Sequence, residues 1–346
     1  MERQIQVELN DAARTNRGTW RDQLRRAIRD PEELIRRLDL PDHLRANARR
    51  AAAKFSLVVP QAFADRMRPG DPDDPLLAQV LPTADELATP AEGFVADPCG
   101  DGDATRAPGL LQKYNGRALL IIVGVCAVAC RYCFRREFPY EKSPAGLAQW
   151  QPALDELRRS ADVEEVLFSG GDPLMRPDRW LAELVGQLED IAHLRRLRIH
   201  TRLPIVIPDR VDDALLEWLG KTRLAPTVVV HSNHPNEIDD ACGAALLRLV
   251  KSGVPVLNQT VLLRGVNDDA DTLTELSRRL MDARVMPYYL HQLDPVTGAQ
   301  HWEVPVARGQ ELIAELRTRL PGFGVPRYVR EVVGAAHKVD ISSGSE

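Results

Sequence analysis

Three of the five cysteines in this 346-residue chain fall within one short stretch, Cys126-Ala-Val-Ala-Cys130-Arg-Tyr-Cys133, spaced C-x₃-C-x₂-C. They directly follow the apolar run Ala118-Leu-Leu-Ile-Ile-Val-Gly-Val125, whose length and β-branched content read as a buried strand. The cysteines then lie on the loop leaving its C-terminal end. Iron–sulfur clusters are as a rule held by four thiolates. Three on one loop would hold three irons of a cubane and leave the fourth open to a substrate or cofactor. The alternatives are a Cys₃His zinc site, a disulfide with one cysteine to spare, or ordinary buried thiols. Zinc sites favour paired C-x₂-C units from two places, and no second pair exists here. Disulfides are rare in chains without a secretion signal. The spacing therefore favours an iron–sulfur site at Cys126, Cys130 and Cys133, with Cys99 and Cys242 outside it.

Such a loop needs a scaffold. From about 118 to 300, β-branched runs alternate with amphipathic stretches. Strands are expected at Leu119–Val125, Glu165–Ser169, Leu197–Thr201, Thr227–His231, Val256–Leu263 and Met286–His291. Helices are expected at about 146–160, 176–192, 211–220, 238–252, 269–283 and 307–319. Right-handed crossovers would then give an α/β unit with a parallel sheet, either doubly wound or a partial (β/α) barrel. Each strand ends in a polar or glycine-rich cluster: the cysteine loop, Ser169-Gly-Gly-Asp172, His200-Thr-Arg202, His231-Ser-Asn-His-Pro-Asn236, Asn258-Gln-Thr260 and Tyr288-Tyr-Leu-His-Gln-Leu-Asp294. Clusters after every strand match barrel active sites; a doubly wound sheet would gather them at one switch point. The expected fold class is thus a partial (β/α)₆ TIM-type barrel over 106–300, preceded by a helical and loop region (1–105) and followed by a C-terminal segment (301–346).

The remaining segments narrow the function classes. Residues 1 to about 55 show helical spacing in Trp20, Leu24 and Ala27 and in Leu34 and Leu38, which suggests two or three helices with Pro31 and Pro41 in first turns. Arg68-Pro-Gly-Asp-Pro-Asp-Asp-Pro75 and Asp97-Pro-Cys-Gly-Asp-Gly-Asp103 read as solvated loops; their aspartates miss the EF-hand spacing, and Cys99 reads as a bystander. The final Ser-Ser-Gly-Ser-Glu reads as disordered. With 44% hydrophobic and 27% charged residues and a formal net charge of −5, the chain suits a large soluble core and not a binder of nucleic-acid phosphates. The N-terminus lacks a signal-peptide core, and no run reaches membrane-span length. A cytoplasmic protein is expected, with no nucleic-acid or membrane partner.

The motifs together resemble the radical S-adenosylmethionine lysine 2,3-aminomutases. The resemblance rests on the cysteine loop with Phe134-Arg-Arg136, Ser169-Gly-Gly-Asp-Pro-Leu174, His200-Thr-Arg202, Asn233-His-Pro-Asn-Glu237, Asn258-Gln-x-Val-Leu-Leu-x-Gly-Val-Asn267 and Pro287-Tyr-Tyr-Leu290, over about 55–340. Lys113-Tyr-Asn-Gly-Arg117, the Phe-Pro-Tyr140 tail of the cysteine loop and the chain's end soon after Lys338 are most similar to the aminomutases that make (R)-β-lysine to modify elongation factor P. The resemblance implies a [4Fe–4S] cluster, S-adenosylmethionine and pyridoxal 5′-phosphate. It also implies L-lysine as substrate, an external electron donor of the flavodoxin or ferredoxin type, a functional link to elongation factor P and its ligase, and room for a homo-oligomer.

By the same resemblance, Ser169, Gly170, Gly171, Asp172, His231 and Gln259 lie near S-adenosylmethionine. Lys338 carries pyridoxal, which needs a lysine amine, in the pattern Pro326, Tyr328, Glu331, Lys338. Lys113, Tyr114 and Arg117 hold the phosphate, Lys113 standing where other members have arginine. Arg135 takes the substrate carboxylate, and Asp294 and Glu331 grip the distal ammonium, Glu331 replacing an aspartate. The implied reaction moves lysine's nitrogen from C2 to C3 by way of a 5′-deoxyadenosyl radical. Alternatives are a free-lysine aminomutase of lysine catabolism, a glutamate aminomutase, which two anions would disfavour, and a non-catalytic iron–sulfur carrier.

Overall fold

The computed structural model describes residues 18–343. Whatever helix the sequence suggests within 1–17, and the disorder expected of Gly344–Glu346, lie outside that range. Three helices open the chain: α1 (Trp20–Arg25), α2 (Pro31–Arg37) and α3 (Leu44–Ala52). Thr19 closes a capping box on α1, and Asp30 caps α2 with Pro31 as its first residue, where a missing N–H costs nothing. Pro41 precedes α3 and does not join it. Two single turns follow, α4 (Gln61–Ala64) and α5 (Pro75–Ala78).

The rest is one ten-stranded sheet whose strand order is the chain order. Strands β1 (Thr105–Ala107), β2 (Leu110–Tyr114) and β3 (Arg117–Val123) pair antiparallel. From β3 onward the pairing is parallel, through β4 (Glu165–Gly170), β5 (Arg196–Thr201), β6 (Ala225–His231), β7 (Val256–Val261), β8 (Met286–His291) and β9 (Arg327–Arg330). β10 (Val339–Asp340) returns antiparallel on β9. Sequential order leaves no switch point, so the sheet is barrel-like rather than doubly wound, and it stays open because β1 and β10 do not pair. The six anticipated strands are all present. β9 is an additional parallel strand from the last segment.

Crossovers α6 (Gln151–Arg159), α7 (Asp178–Glu189), α8 (Leu203–Val206), α9 (Asp213–Lys221), α10 (Asp240–Lys251), α11 (Ala270–Asp282) and α12 (Val306–Arg319) accompany the parallel strands. Parallel strands must be covered on their faces. Accordingly Val166, Phe168, Ile199, Val228 and Val230 are buried against Leu181, Leu184, Leu215, Leu246 and Leu249 of the helices in one apolar core. Asp212, Asp239 and Asp269 cap α9, α10 and α11 with their side chains, satisfying N–H groups that have no partner within the helix. No helix among the described residues is long and apolar enough to cross a membrane.

The end of β4 is locked to the end of β3. Gly171 N–H donates to Val123 O at 2.7 Å and Asp172 N–H to Val125 O at 3.0 Å. A Cβ on Gly171 would sit 2.4 Å from Val125 O. The glycine pair thus admits the chain's own β3 terminus, immediately before Cys126. Gly171→Ala should cost about 1–3 kcal/mol through overpacking. Gly186→Ala, in α7 with open space at its Cβ position, should gain up to about 1 kcal/mol. Urea midpoints of the two variants check both signs.

Candidate active site

Every site residue expected from the sequence lines a single cavity of about 290 Å³ at the C-terminal ends of the parallel strands. The cysteine loop forms one wall. Cys126 is exposed, and Cys130 and Cys133 are half-buried. Burial pushes the Cys133 thiol up to about 11, so ligation would have to displace a proton. Among the described residues no three His, Cys, Asp or Glu side chains group tightly enough for a single metal ion. A cluster that takes one thiolate per iron accepts a wider spread.

The loop is held from outside, in part by the 56–105 region, where the sequence shows little periodicity. Ala129 N–H donates to Val58 O and Arg131 N–H to Gln79 O. Arg131, fully buried, places Nε and Nη2 on Glu86 at 2.8 and 2.6 Å, and Arg136 reaches the same carboxylate at 2.8 Å. On the other side Arg202 Nη1 donates to Cys130 Sγ and to Tyr132 OH, both at 2.8 Å. Its Nη2 donates to Gln79 and Glu237. Arg135 donates from Nε to Asp101 at 2.7 Å and from Nη1 to Ser169 Oγ at 3.1 Å.

Asp101 corrects the reading of 97–103 as a solvated loop. It is buried, it pairs with Lys113 at 2.6 Å as well as with Arg135, and Cys99 beside it is buried in the cavity wall. Burial alone would raise the Asp101 carboxyl, but the two cations hold it below the usual range. Sequence offered no signal for this, because an acidic glycine-rich turn looks the same whether solvated or tucked beneath a strand.

At the far end of the cavity Lys338 Nζ donates to Glu331 Oε2 at 2.6 Å, and Tyr114 OH donates to Oε1 at 2.7 Å. Burial opposes charge on Glu331, yet Lys338, Tyr114 and Lys113 outweigh it and keep its carboxyl low. Asp294, near the same lysine, is pushed up to about 6, chiefly by burial and further by Glu331. Lys113 Nζ is spent on Asp101 and Cys99 O, and the Arg117 guanidinium lies over the Tyr114 ring at 4.5 Å. The three expected phosphate contacts share a wall, but two of them already carry acid partners.

Asp172 turns inward. Its carboxylate accepts from Thr201 Oγ1 and from the backbone N–H groups of Arg202, Leu203 and Leu174, which fixes the start of the turn after β5. His231 and Gln259 sit at facing positions on β6 and β7. Tyr132 OH lies 3.3 Å from His231 Nε2. His200 and His291, within strand-end clusters noted from sequence but not assigned there, also face the cavity, and His200 Nε2 is buried without a partner. An orphaned ring nitrogen, a wall of three thiols and an amine among acids make a chamber suited to a cluster at one end and an aldehyde cofactor at the other.

Residues 120–276 match the model of the radical SAM superfamily. A protein of Escherichia coli (strain K12) described as L-lysine 2,3-aminomutase is 47% identical over 336 residues, 97% of each chain. Proteins of the same description from Haemophilus influenzae and Clostridium subterminale are 46% identical over 319 residues (92% of this chain, 94% of that one) and 34% over 332 (96% and 79%).

Burial and the Arg202 cation hold the His231 imidazole down to about 4. The unfolded chain, with an ordinary histidine value near 6.5, therefore binds more protons between pH 6.5 and 4. This group's contribution to stability is complete above that window and is lost as pH falls through it. Relative to His231→Gln, the wild-type apoprotein should lose at most about 1.4 kcal/mol per pH unit there. Urea titrations of both proteins from pH 7 to 4.5 measure it, and a constant difference would mean the ring protonates freely.

Proposed function

The chain belongs to the L-lysine 2,3-aminomutase family of the radical SAM superfamily, and on that footing we propose that it converts L-lysine to (R)-β-lysine for attachment to elongation factor P. The observation that carries the chemistry is the meeting of Cys126, Cys130 and Cys133 with Lys338, Asp294 and Glu331 in one cavity. When bound, a [4Fe–4S] cluster with S-adenosylmethionine would supply the radical, and pyridoxal phosphate a conjugated carrier for the migrating nitrogen.

The chain's own groups bind and orient. Arg135 is braced on Asp101 and Ser169, a rigid mount for a guanidinium that must take a carboxylate. Lys338 offers the amine for pyridoxal, and its ammonium now occupies one oxygen of Glu331. That contact marks Glu331, beside Asp294, as an acceptor for an ammonium, the group at the substrate's distal end. Two carboxylates there favour lysine over glutamate. Lys113, Tyr114 and Arg117 would have to exchange their acid and ring contacts for phosphate. His231, Gln259 and the Ser169–Asp172 turn line the same cavity as the thiols and Lys338, a place for S-adenosylmethionine. The assignment to elongation factor P draws support from the Lys113–Arg117 segment and the Phe134–Tyr140 tail.

Anaerobic product analysis with lysine and competing amino acids tests the activity, and borohydride should fix a pyridoxyl label on Lys338. Asp294→Asn should raise KM for lysine about tenfold to a hundredfold, the cost of a lost hydrogen bond to a charged group; an unchanged KM removes Asp294 from the substrate site. Deleting the gene should leave elongation factor P lighter by its β-lysyl group in intact-mass spectra, with restoration by added β-lysine. An unchanged mass turns the reading to free-lysine catabolism.

A further inference from the structure

We infer that Arg202 acts through Cys130 to set the reduction potential of the cluster, with Glu237 as its opposing partner; this rests on the reading of Cys130 as a cluster ligand. Arg202 is 6% exposed, and its Nη1 lies 2.8 Å from Cys130 Sγ. A charged donor to one ligand sulfur makes that corner of the cluster electronically distinct.

The guanidinium cannot drift from this position. Nη1 also donates to Tyr132 OH, and Nη2 donates to Gln79 Oε1 at 2.7 Å and Glu237 Oε2 at 2.8 Å. Glu237, fully buried, is itself fixed by Asn233 N–H, His234 N–H and Gln79 Nε2 on its other oxygen. Arg202 stands directly after β5, where Asp172 accepts its N–H at 2.7 Å. Three independent elements thus aim one cation at one sulfur.

Reduction brings a single electron from a low-potential donor onto the cluster; no bond breaks, and the cluster gains one negative charge. Hydrogen bonds to cluster sulfurs and nearby net charge both shift the potential. A donor cation near sulfur stabilises the reduced state and raises the potential, whereas a buried carboxylate behind it lowers the potential. The two residues should therefore have effects of opposite sign, which a general loosening of the site would not produce.

The test is an anaerobic redox titration of the reconstituted full-length protein with dithionite and mediator dyes, followed by the electron paramagnetic resonance signal of the reduced cluster. Iron per chain is counted first. Arg202→Gln should lower the ratio of reduced to oxidised cluster about tenfold at a fixed potential, a 59 mV negative shift for one electron. Glu237→Gln should raise that ratio by threefold or more, and Arg202→Lys should lie between wild type and Arg202→Gln. If Arg202→Gln fails to hold its iron, the other two variants decide. A Glu237→Gln cluster whose potential is unmoved or more negative overturns the inference. So does an intact Arg202→Gln cluster with unchanged potential, including the case where only its binding of S-adenosylmethionine weakens. Full iron in a Cys130→Ala protein would instead overturn the ligand assignment beneath it.

Discussion

Four guanidiniums are buried on or against the cysteine loop, and none could be left there uncompensated. Arg131 and Arg136 share Glu86, Arg135 has Asp101, and Arg202 has Glu237. Removing one partner from such a pair strands a charge at a cost of several kcal/mol, whereas the intact pair adds little net stability. The ion pairs are therefore better understood as fixing position than as holding the fold together. Three of them tie the cysteine loop to the 84–87 turn and to the 97–103 loop, and the fourth ties the end of β5 to the turn after β6, at distances of 2.6–2.8 Å. The apolar core shares in that placement, since Ala127 and Val128 of the loop are buried in it and Cys130 packs against it.

What the sequence revealed follows from how local each signal is. Strand–helix alternation depends on near-neighbour patterning, so β3 to β8 and their crossovers could be read within a few residues. The polar clusters after each strand likewise located the cavity, because strand ends are placed by the strands. The acids that neutralise the loop were not legible. Glu86 and Asp101 lie 45 and 34 residues from their arginines in the chain, in segments without periodicity. Their neighbours spell turn and loop, and burial there is decided by packing of the whole molecule. β9 was missed for a related reason: Arg327-Tyr-Val-Arg330 is short, and its strand character comes from an available edge on β8.

The turn after β4 also serves the scaffold itself. Gly170 and Gly171, lacking a Cβ, leave room for a close approach. Val125 and the terminus of β3 approach there. That contact links the second strand end to the first and, through Asp172, to the third. Three successive strand ends are joined into one rim before any cofactor contributes.

The sequential strand order also governs when the site comes into being during synthesis. Each strand pairs with the one made just before it, so the sheet can grow at its edge as the chain emerges. The thiols of Cys126–Cys133 are made early, yet the Glu237 partner of Arg202 follows more than a hundred residues later, and Glu331 and Lys338 arrive with the final strands. A nascent chain thus carries these thiols long before the chamber around them exists. A cluster inserted on such a chain would sit on an open wall, facing solvent and oxygen. The order of the strands makes completion of the chain, rather than appearance of the cysteines, the step after which the metal centre is sheltered.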